Sequence, residues 1–194
     1  MDSKVIESLL ADVRRLEHPE LEVRFGRKDS SRAQFISQIP FEQWSIVLKR
    51  LRSNPKWSSV STESFVDSVC KDTRARFRSS EMKWIIKKRI MVRDIPMEPM
   101  DVRVGLSDEV PFLDNAVPEK STIQNIHKVR HRFVHKDMWA FDLTEATGYD
   151  IDQESPWYFI ELELVPESLT KYPERYVADY GILLIRDILS MLQK

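Results

Sequence analysis

Three segments of the chain place apolar residues at helical spacing, which predicts three amphipathic helices. The first follows the N-cap residues Asp2 and Ser3 and ends at His18-Pro19. The second begins at Pro40, and the third extends from about Pro173 to the end of the chain. Their predicted buried stripes are Val5, Ile6, Leu9, Leu10, Val13 and Leu16; Phe41, Trp44, Val47, Leu48 and Leu51; and Tyr176, Tyr180, Leu183, Leu184, Ile188 and Met191.

Between these helices the apolar residues recur at every second position, which predicts β-strands. The predicted strands span residues 20–27, 58–69, 74–78, 82–92, 102–106, 126–135, 138–146 and 157–165. Residues 94–99 and 107–121 are rich in Pro, Asp and Asn and are predicted to be loops. About eight strands are enough to close a barrel. We therefore predict an α+β, mainly β fold, in which a closed antiparallel β-barrel is flanked by amphipathic helices.

The composition limits the possible functions. A chain of 194 residues is expected to form one domain, spanning 1–194. Its 30 Lys and Arg residues balance its 31 Asp and Glu residues, so no overall positive charge attracts nucleic acid or membrane surfaces. Cys70 is the single cysteine, which excludes an internal disulfide and favours a reducing, intracellular setting. No segment of the sequence is long and apolar enough to cross a membrane, so we expect a soluble protein.

The predicted strands repeat one sign of charge on a single face. Residues i and i+2 of a strand share a face. The repeated charges are Glu20 and Glu22; Arg74 and Arg76; Lys87 and Arg89; Lys128, Arg130 and Arg132; and Glu161 and Glu163. Any single pair also fits an ordinary solvated face. However, like charges along a strand repel, and the acidic pairs occupy the first and last strands while the middle strands are mostly basic. This sorting favours a ligand-binding site.

The opposite faces of the acidic strands are apolar, with Leu21, Val23 and Phe25 in the first strand and Ile160, Leu162 and Leu164 in the last. Helices packed outside a barrel would cover these faces and leave the charged faces inside. Clustered carboxylates can hold a divalent cation, and the surrounding basic side chains can bind phosphate. Because unpaired buried charges cost many kcal/mol, such an interior must contain water, cross-paired charges and a ligand.

Three sequence motifs resemble those of a known family. The string HPELEVRFGR, which contains Glu20 and Glu22, resembles the first glutamate motif of the triphosphate tunnel metalloenzymes, in the RNA triphosphatase branch of fungi, protozoa and large DNA viruses. The string WYFIELEL resembles the second glutamate motif. KVRHRF, followed by WAFDLTEAT, resembles the basic strand and the next strand of its hairpin. The motifs occur in the expected order between Glu20 and Leu164, and the small chain is similar in size to the chlorella virus members.

The resemblance implies an eight-stranded tunnel that holds Mg²⁺ or Mn²⁺ and removes the γ-phosphate from triphosphate-ended RNA, the first step of mRNA capping. By position, Glu20, Glu22 and Glu163 would be metal ligands, and Glu161 would hold or activate the attacking water. The implied phosphate contacts are Arg76, Lys87, Lys128 and Arg130, with Asp142 and Thr144 as the polar residues that orient them. This agrees with phosphoryl transfer, which needs charge neutralisation and in-line water more than covalent chemistry.

Two positions depart from the pattern of the family. Phe159 occupies the place of a third alternating glutamate of the fungal members, and Ala140 lies near the place of an arginine. The missing phosphate contact would come from another basic residue: Arg74, Arg89, Arg103 or Arg132. The implied partners are triphosphate-ended RNA, nucleoside triphosphates and a capping guanylyltransferase, inside a cell that for viral members is the infected host.

Two other functions use the same sequence features. The same tunnel could hydrolyse inorganic triphosphate or a small organic triphosphate. Alternatively, a non-catalytic RNA-binding barrel could use Trp57, Trp84 and Trp139 as stacking platforms. Binding alone, however, gives no reason for four glutamates that face a phosphate, and we expect these tryptophans to be packing residues.

Two further motifs invite a chemical interpretation that their context does not favour. Cys70 and Arg76 have the spacing of the C-x5-R loop of cysteine-dependent phosphatases, but the segment lacks glycine and a preceding histidine. His127, His131 and His135 extend too far along one strand to share a metal ion. We expect these histidines on the outer face or the rim.

Overall fold

The computed structural model describes residues 3–29, 31–32, 34–70, 73–78, 81–111, 124–148 and 155–193, and for residues 3, 70, 73–78 and 81–84 it describes the backbone alone. Within these ranges the elements are α1 (Ser3–Val13), β1 (Pro19–Asp29), β2 (Gln34–Ile36), α2 (Phe41–Ser53), β3 (Ser59–Cys70), β4 (Thr73–Arg78), β5 (Glu81–Ile95), β6 (Asp101–Pro111), β7 (Gln124–His135), β8 (Trp139–Gly148), β9 (Trp157–Leu164), α3 (Ser168–Lys171) and α4 (Glu174–Leu192). No helix in the described ranges is long and apolar enough to span a membrane.

The strands form one antiparallel sheet in the order β2-β1-β6-β5-β4-β3-β7-β8-β9. β1 pairs with β6 from Pro19 to Gly26, and on its other edge it pairs with β9 from Glu22 to Arg24. The first and last long strands of the chain therefore lie side by side. The prediction of a mainly β, antiparallel sheet with flanking helices is confirmed.

The hydrophobic core lies on the helix-covered side of this sheet. The apolar residues of β1 and β9 predicted to face the helices are each at most 1% exposed: Leu21, Val23, Phe25, Ile160, Leu162 and Leu164. They belong to one cluster with the buried residues of α1, α2 and α4. Phe41 lies outside this cluster and is 52% exposed at the start of α2, so the prediction that it is buried was wrong. Since alternate residues of a strand face opposite ways, burial of this set directs the charged set to the other side of the sheet.

Helix α4 packs closely against the sheet at a glycine. A Cβ atom at Gly181 would lie 2.7 Å from a ring carbon of the fully buried Trp139. The helix turns its small residues towards this ring, and the buried stripe shifts accordingly. Ile188 is buried as predicted, but Tyr176 and Leu183 are 44% and 52% exposed, so the prediction that they are buried was wrong.

Two predicted loops are partly strand. β5 continues to Ile95, and β6 includes residues 107–111, where a loop was predicted; residues 112–121 of that loop lie outside the described part of the chain. Ser107 pairs with Glu20 of β1 and Arg89 of β5. The polar residues of this segment lie on the charged face of the sheet. Because they make the segment as polar as a typical loop, the sequence pattern predicted a loop here.

The short strand β2, which was not predicted, extends the sheet where β1 and β9 separate. The pairing of β1 with β9 ends at Arg24; beyond it Arg27–Asp29 pair with β2, and Ile39 forms an isolated bridge to β9. The crossing is close, because a Cβ atom at Gly26 would collide with the carbonyl oxygen of Ile36. A glycine is therefore required at this position of β1.

Candidate active site

The charged faces of β1 and β9 lie on the same side of the sheet. Glu22 is directly opposite Glu163, and Arg24 is directly opposite Glu161. Glu20 shares their face of β1. The two glutamate pairs, which lie near opposite ends of the sequence, come together as predicted, but on neighbouring strands and not on opposing walls.

Cations from β1 and β5 neutralise these glutamates. The Lys87 ammonium contacts the carboxylates of both Glu20 and Glu22, and its Nζ lies 3.1 Å from Glu22 Oε1. The Arg24 guanidinium lies 2.7 Å from Glu22 and 3.1 Å from Glu161. Two basic side chains thus link three carboxylates into one network.

A second network joins β7, β8 and β9. Arg132 lies 2.6 Å from Asp142 and 3.2 Å from Glu163, while Arg130 lies 3.4 Å from Asp142. The Asp142 residue is fully buried, so its carboxylate is compensated by these two guanidinium groups. Asp142 therefore holds the basic side chains of β7 in position, at the site where an orienting residue was predicted.

Lys128 is the third basic residue on the inner face of β7. Its Nζ lies 2.7 Å from Oδ2 of Asp67, a residue of β3 with no exposed surface. An ion pair with one fully buried partner is costly to break by removing the other partner. In addition to the predicted phosphate contact, Lys128 therefore has a structural role.

The buried acids have divergent pKa values. Burial raises the pKa of Glu22, although Arg24 acts in the opposite direction. Burial also acts to raise the pKa of Asp142, while the neighbouring Arg130 and Arg132 act to lower it. Burial acts in the same way on Glu161, but Arg24 and Arg130 outweigh it and lower its pKa to about 2. Glu161 is consequently ionised at neutral pH and is a weak base.

Arg103, one of the predicted phosphate contacts, already has partners. Its Nε and one terminal nitrogen donate hydrogen bonds to the two carboxylate oxygens of Asp94, at 2.6 and 3.0 Å. Its guanidinium also lies over the ring of Phe35, 4.6 Å from the centroid. This bidentate and stacked arrangement fixes the side chain and makes it less available to a phosphate than the cations of β7.

The other predicted phosphate contacts are less closely defined. Arg89 is exposed and lines a smaller cavity of about 50 Å³ beside Lys87. Arg74 and Arg76 belong to β4, for which only the backbone is described, and Arg76 is opposite Asp67 in the β3–β4 ladder. The roles of these residues remain predictions.

The C-x5-R spacing of Cys70 and Arg76 belongs to a β-hairpin. Cys70 ends β3 and pairs with Thr73, the first residue of β4, and Arg76 lies further along β4. A phosphate-binding loop must curl so that several backbone N–H groups point to one anion, whereas both sides of this turn are extended and paired. The match to a cysteine phosphatase is therefore coincidental.

The histidines and tryptophans pack on the helix-covered side. His131 contacts Arg52 of α2, and Nδ1 of His135 lies 2.7 Å from the hydroxyl of Tyr180 on α4. Trp139 is fully buried, and Trp57 is half-buried against its aromatic neighbours. The prediction that the histidines lie on the outer face or the rim is confirmed for His131 and His135. The prediction that the tryptophans are packing residues is confirmed for Trp57 and Trp139, while the side chain of Trp84 lies outside the described part of the chain.

A cavity of about 150 Å³ is lined by charged residues of β1, β7 and β9. Two buried polar atoms on its lining residues, Arg130 Nε and Thr144 Oγ1, have no hydrogen-bond partner among the described residues. Buried polar atoms are nearly always hydrogen-bonded, so this pair indicates a ligand with acceptor atoms. The lining residues are Glu20, Glu22, Glu161 and Glu163; Arg24, Lys128 and Arg130; Ser37 and Thr144; and Phe159.

The glutamates suit a hard divalent cation by their chemistry, since Mg²⁺ and Mn²⁺ prefer oxygen ligands. Within the described ranges, however, no three acidic, histidine or cysteine side chains are grouped closely enough to hold one ion. Lys87 binds Glu20 and Glu22, and Arg132 binds Glu163. Arg24 also binds Glu22. Metal binding at the predicted ligands therefore requires these three cations to release the carboxylates.

The inner-face residues that were absent from the predicted site include Arg24, Asp67 and Ser107. Arg24 could have been found, because it continues the alternation of Glu20 and Glu22 by one step. Asp67 is a single acid in a long strand and Ser107 fell in a predicted loop, so neither carried a comparable signal. The Ser107 hydroxyl donates a 3.1 Å hydrogen bond to Glu20 and so belongs to the carboxylate network.

Solved structures resemble the chain over nearly its whole length. The S. pombe RNA triphosphatase Pct1 has a TM-score of 0.74 at 17% identity, over 97% of this chain and 91% of that chain. Pct1 in complex with the Spt5 CTD has a TM-score of 0.74 at 16% identity, over 97% and 92%. The Mimivirus capping enzyme triphosphatase has a TM-score of 0.68 at 15% identity, over 97% and 96%.

This chain has the RNA triphosphatase fold. The resemblance drawn from the glutamate motifs is thereby confirmed at the level of the fold. No protein-family model matches the sequence, and no curated protein matches it either. Because identity to the solved structures is low, the activity has to be argued from the residues of the RNA triphosphatase fold as they occur in this chain.

Proposed function

We propose that this protein is a metal-dependent polynucleotide 5′-triphosphatase, which hydrolyses the γ-phosphate of triphosphate-ended RNA to leave a diphosphate end, the first step of mRNA capping. The observation that carries the proposal is the pair of unsatisfied atoms, Arg130 Nε and Thr144 Oγ1, in a cavity that also contains four glutamates. Buried donors without a partner, on residues that line a charged cavity, fit an anionic ligand. The RNA triphosphatase fold supports the same conclusion.

In this proposal the long strands close into a tunnel. The strand pairing supports closure. The order runs from β1 through β6 to β9, and β9 pairs in turn with the free edge of β1. The short strand β2 then fills the gap where β1 and β9 separate. Residues 1–194 form one catalytic domain around this tunnel.

The basic residues of the tunnel bind the triphosphate. Lys128 and Arg130 line the cavity, and Arg132 and Lys87 lie in the adjoining ion-pair networks. Charge-assisted hydrogen bonds to phosphate oxygens replace their present bonds to carboxylates. Arg76, from β4, is proposed as a further contact. Together these cations neutralise the charge that develops on the transferred phosphoryl group.

Glu161 positions the attacking water. Its pKa of about 2 keeps it ionised, so it accepts a hydrogen bond from a water molecule at neutral pH. A carboxylate with so low a pKa is a poor proton acceptor, which favours orientation of the water over its full deprotonation. This is sufficient for a loose, metaphosphate-like transition state, in which the water forms little bonding before the leaving group departs.

Glu20, Glu22 and Glu163 are the residues that would hold Mg²⁺ or Mn²⁺. A divalent ion bound there would neutralise phosphate charge and act as a Lewis acid. With an ion held by these three carboxylates, the side chains of Lys87 and Arg132 would be free to bind phosphate. Without metal and phosphate, the ion pairs thus ensure that neither the carboxylates nor the basic side chains are left as unpaired buried charges.

We also propose the biological setting. Triphosphate-ended RNA and nucleoside triphosphates are the substrates, and a capping guanylyltransferase uses the diphosphate end. One of the S. pombe Pct1 structures is a complex with the Spt5 CTD, which makes a peptide of that kind a further candidate partner. An intracellular location, in the host cell for a virus-encoded protein, is part of this proposal.

The test is a phosphate-release assay on triphosphate-ended RNA, nucleoside triphosphate and inorganic tripolyphosphate, with Mg²⁺ or Mn²⁺ and with excess EDTA. We expect metal-dependent release from the RNA end. Glu163→Gln should remove it, and Glu167→Gln, at an exposed glutamate just beyond β9, is the matched control. Full turnover in EDTA, or no release from any of the three substrates, would contradict the proposal.

A further inference from the structure

Phe159 is an aromatic side chain on the charged face of β9. It occupies the inward position before Glu161 and Glu163, is half-buried, and lines the 150 Å³ cavity. Its neighbour Tyr158 points the other way and packs against Phe41, with ring centroids 5.1 Å apart. Among the described side chains no aromatic ring packs on Phe159. A large apolar surface left facing a polar cavity is unfavourable unless another flat surface covers it.

Phe159 lies beside the proposed phosphate-binding residues and at a distance from the proposed metal ligand of the same strand. Along β9 it lies roughly 7 Å from Glu161 and roughly 13 Å from Glu163, since two residues of a strand advance about 7 Å. Thr144 is directly opposite Phe159, and Arg130 is opposite Thr144. An aromatic ring is therefore level with the residues proposed to bind phosphate, where a nucleoside attached to the bound phosphates can reach it.

We propose that Phe159 forms a nucleoside subsite, in which its ring stacks on the base of the first nucleotide. The inference rests on the proposed triphosphatase function and specifies its substrate class as nucleoside-linked triphosphates. Every base has a face that can stack on an aromatic ring, so the subsite accepts RNA ends of any sequence. Ser37, which lines the same cavity after β2, provides a hydroxyl for the ribose.

Inorganic triphosphate has no base and therefore gains nothing from this ring. The subsite accordingly separates the two substrate classes that share the phosphate-binding residues. Its contribution is measured by a ratio: kcat/KM for triphosphate-ended RNA divided by kcat/KM for inorganic tripolyphosphate. Effects on the common phosphate chemistry cancel in this ratio, and an effect on base stacking remains.

The experiment measures that ratio in the unaltered protein and in three variants. Phe159→Ala should lower it by about 10-fold or more, because stacking on the base is lost. Phe159→Tyr should restore it, since tyrosine presents the same flat ring. Phe41→Ala is the matched control, because it removes a 52% exposed aromatic ring on the outer side, and it should keep the original ratio.

An unchanged ratio in Phe159→Ala overturns the subsite. Equal loss on both substrates also overturns it, because a ring that only supports the tunnel would affect both alike. If the unaltered protein hydrolyses neither substrate, the proposed triphosphatase function itself fails, which is a distinct result. Hydrolysis of both substrates with a ratio that follows the ring at position 159 supports the subsite.

Discussion

Glu22 and Glu163 lie directly opposite each other where the first long strand of the sheet pairs with the last. They do not share a cation. Arg24 and Lys87 bind Glu22, and Arg132 binds Glu163. Two acids that come from opposite ends of the sequence are thus neighbours with separate counter-charges, and only an exchange of partners can place one ion between them.

Conversion of Glu22 or Glu163 to Gln should abolish most of the activity and spare the fold. If both carboxylates hold one ion, loss of either charge should lower turnover by about 100-fold or more. Burial raises the pKa of Glu22, so its ionised form is disfavoured in the folded protein, and Glu22→Gln should leave the metal-free melting temperature unchanged or higher.

The measurement combines phosphate release with thermal melting of each variant, without and with Mn²⁺. The unaltered protein should be stabilised by Mn²⁺, and the two variants much less so. Glu167→Gln, which changes an exposed glutamate, should behave like the unaltered protein. Equal Mn²⁺ stabilisation of all four proteins would remove Glu22 and Glu163 from the metal site.

Lys128→Ala should impair both activity and stability. Asp67 is fully buried, and its carboxylate lies 2.7 Å from the Lys128 ammonium. Removal of that cation should cost about 3 kcal/mol of unfolding free energy. The double variant Lys128→Ala with Asp67→Asn should recover stability without recovering turnover. Denaturant unfolding checks this, and a single variant as stable as the unaltered protein would show that the pair contributes nothing.

Glu161 should make stability depend on pH in acid. Its pKa is lowered from 4.5 to about 2 on folding, so its contribution is complete above the unfolded value and is lost as the pH falls towards 2. The difference corresponds to about 3 kcal/mol. Unfolding free energies of the unaltered protein and Glu161→Gln should therefore differ near neutral pH and converge in acid. A gap that is the same at every pH would contradict the assignment.

Cys70→Ser should keep most of the phosphate-release activity. Cys70 lies at the end of a hairpin strand, opposite Thr73, and the proposed chemistry uses no covalent intermediate. An alkylating reagent should likewise have little effect at concentrations that modify the thiol. A folded but inactive Cys70→Ser would restore the cysteine-phosphatase interpretation.

The faces of the charged strands could be predicted because they depend on a local rule. Glu20 and Glu22, like Glu161 and Glu163, alternate with apolar residues, and burial of one set determines the side of the other. The same rule also reached Arg24, which was not used. The rule does not determine which strands pair. The direct apposition of Glu22 and Glu163 therefore could not be predicted and is known only from the strand order of the sheet.

Features that depend on tertiary contacts could not be predicted. The strand β2 has three residues and one buried side chain, Phe35, and it exists because it fills the space between β1 and β9. The ion pair of Lys128 with Asp67 joins strands β7 and β3, and no spacing in the sequence connects them. Residues 107–111 were missed for a different reason, since a polar inner face has the composition of a loop.

The adjacency of β1 and β9 also determines when a nascent chain can complete its sheet. Until residues 157–164 have been synthesised, Arg24 lacks its Glu161 partner, and one edge of β1 has no strand to pair with over Glu22–Arg24. The second edge of β8 also stays unpaired until then. Unpaired strand edges promote aggregation and attract chaperones and proteases. An interrupted translation product that lacks β9 should therefore be cleared as misfolded protein, because the strands near its beginning are fully paired only after the strand near its end has been added.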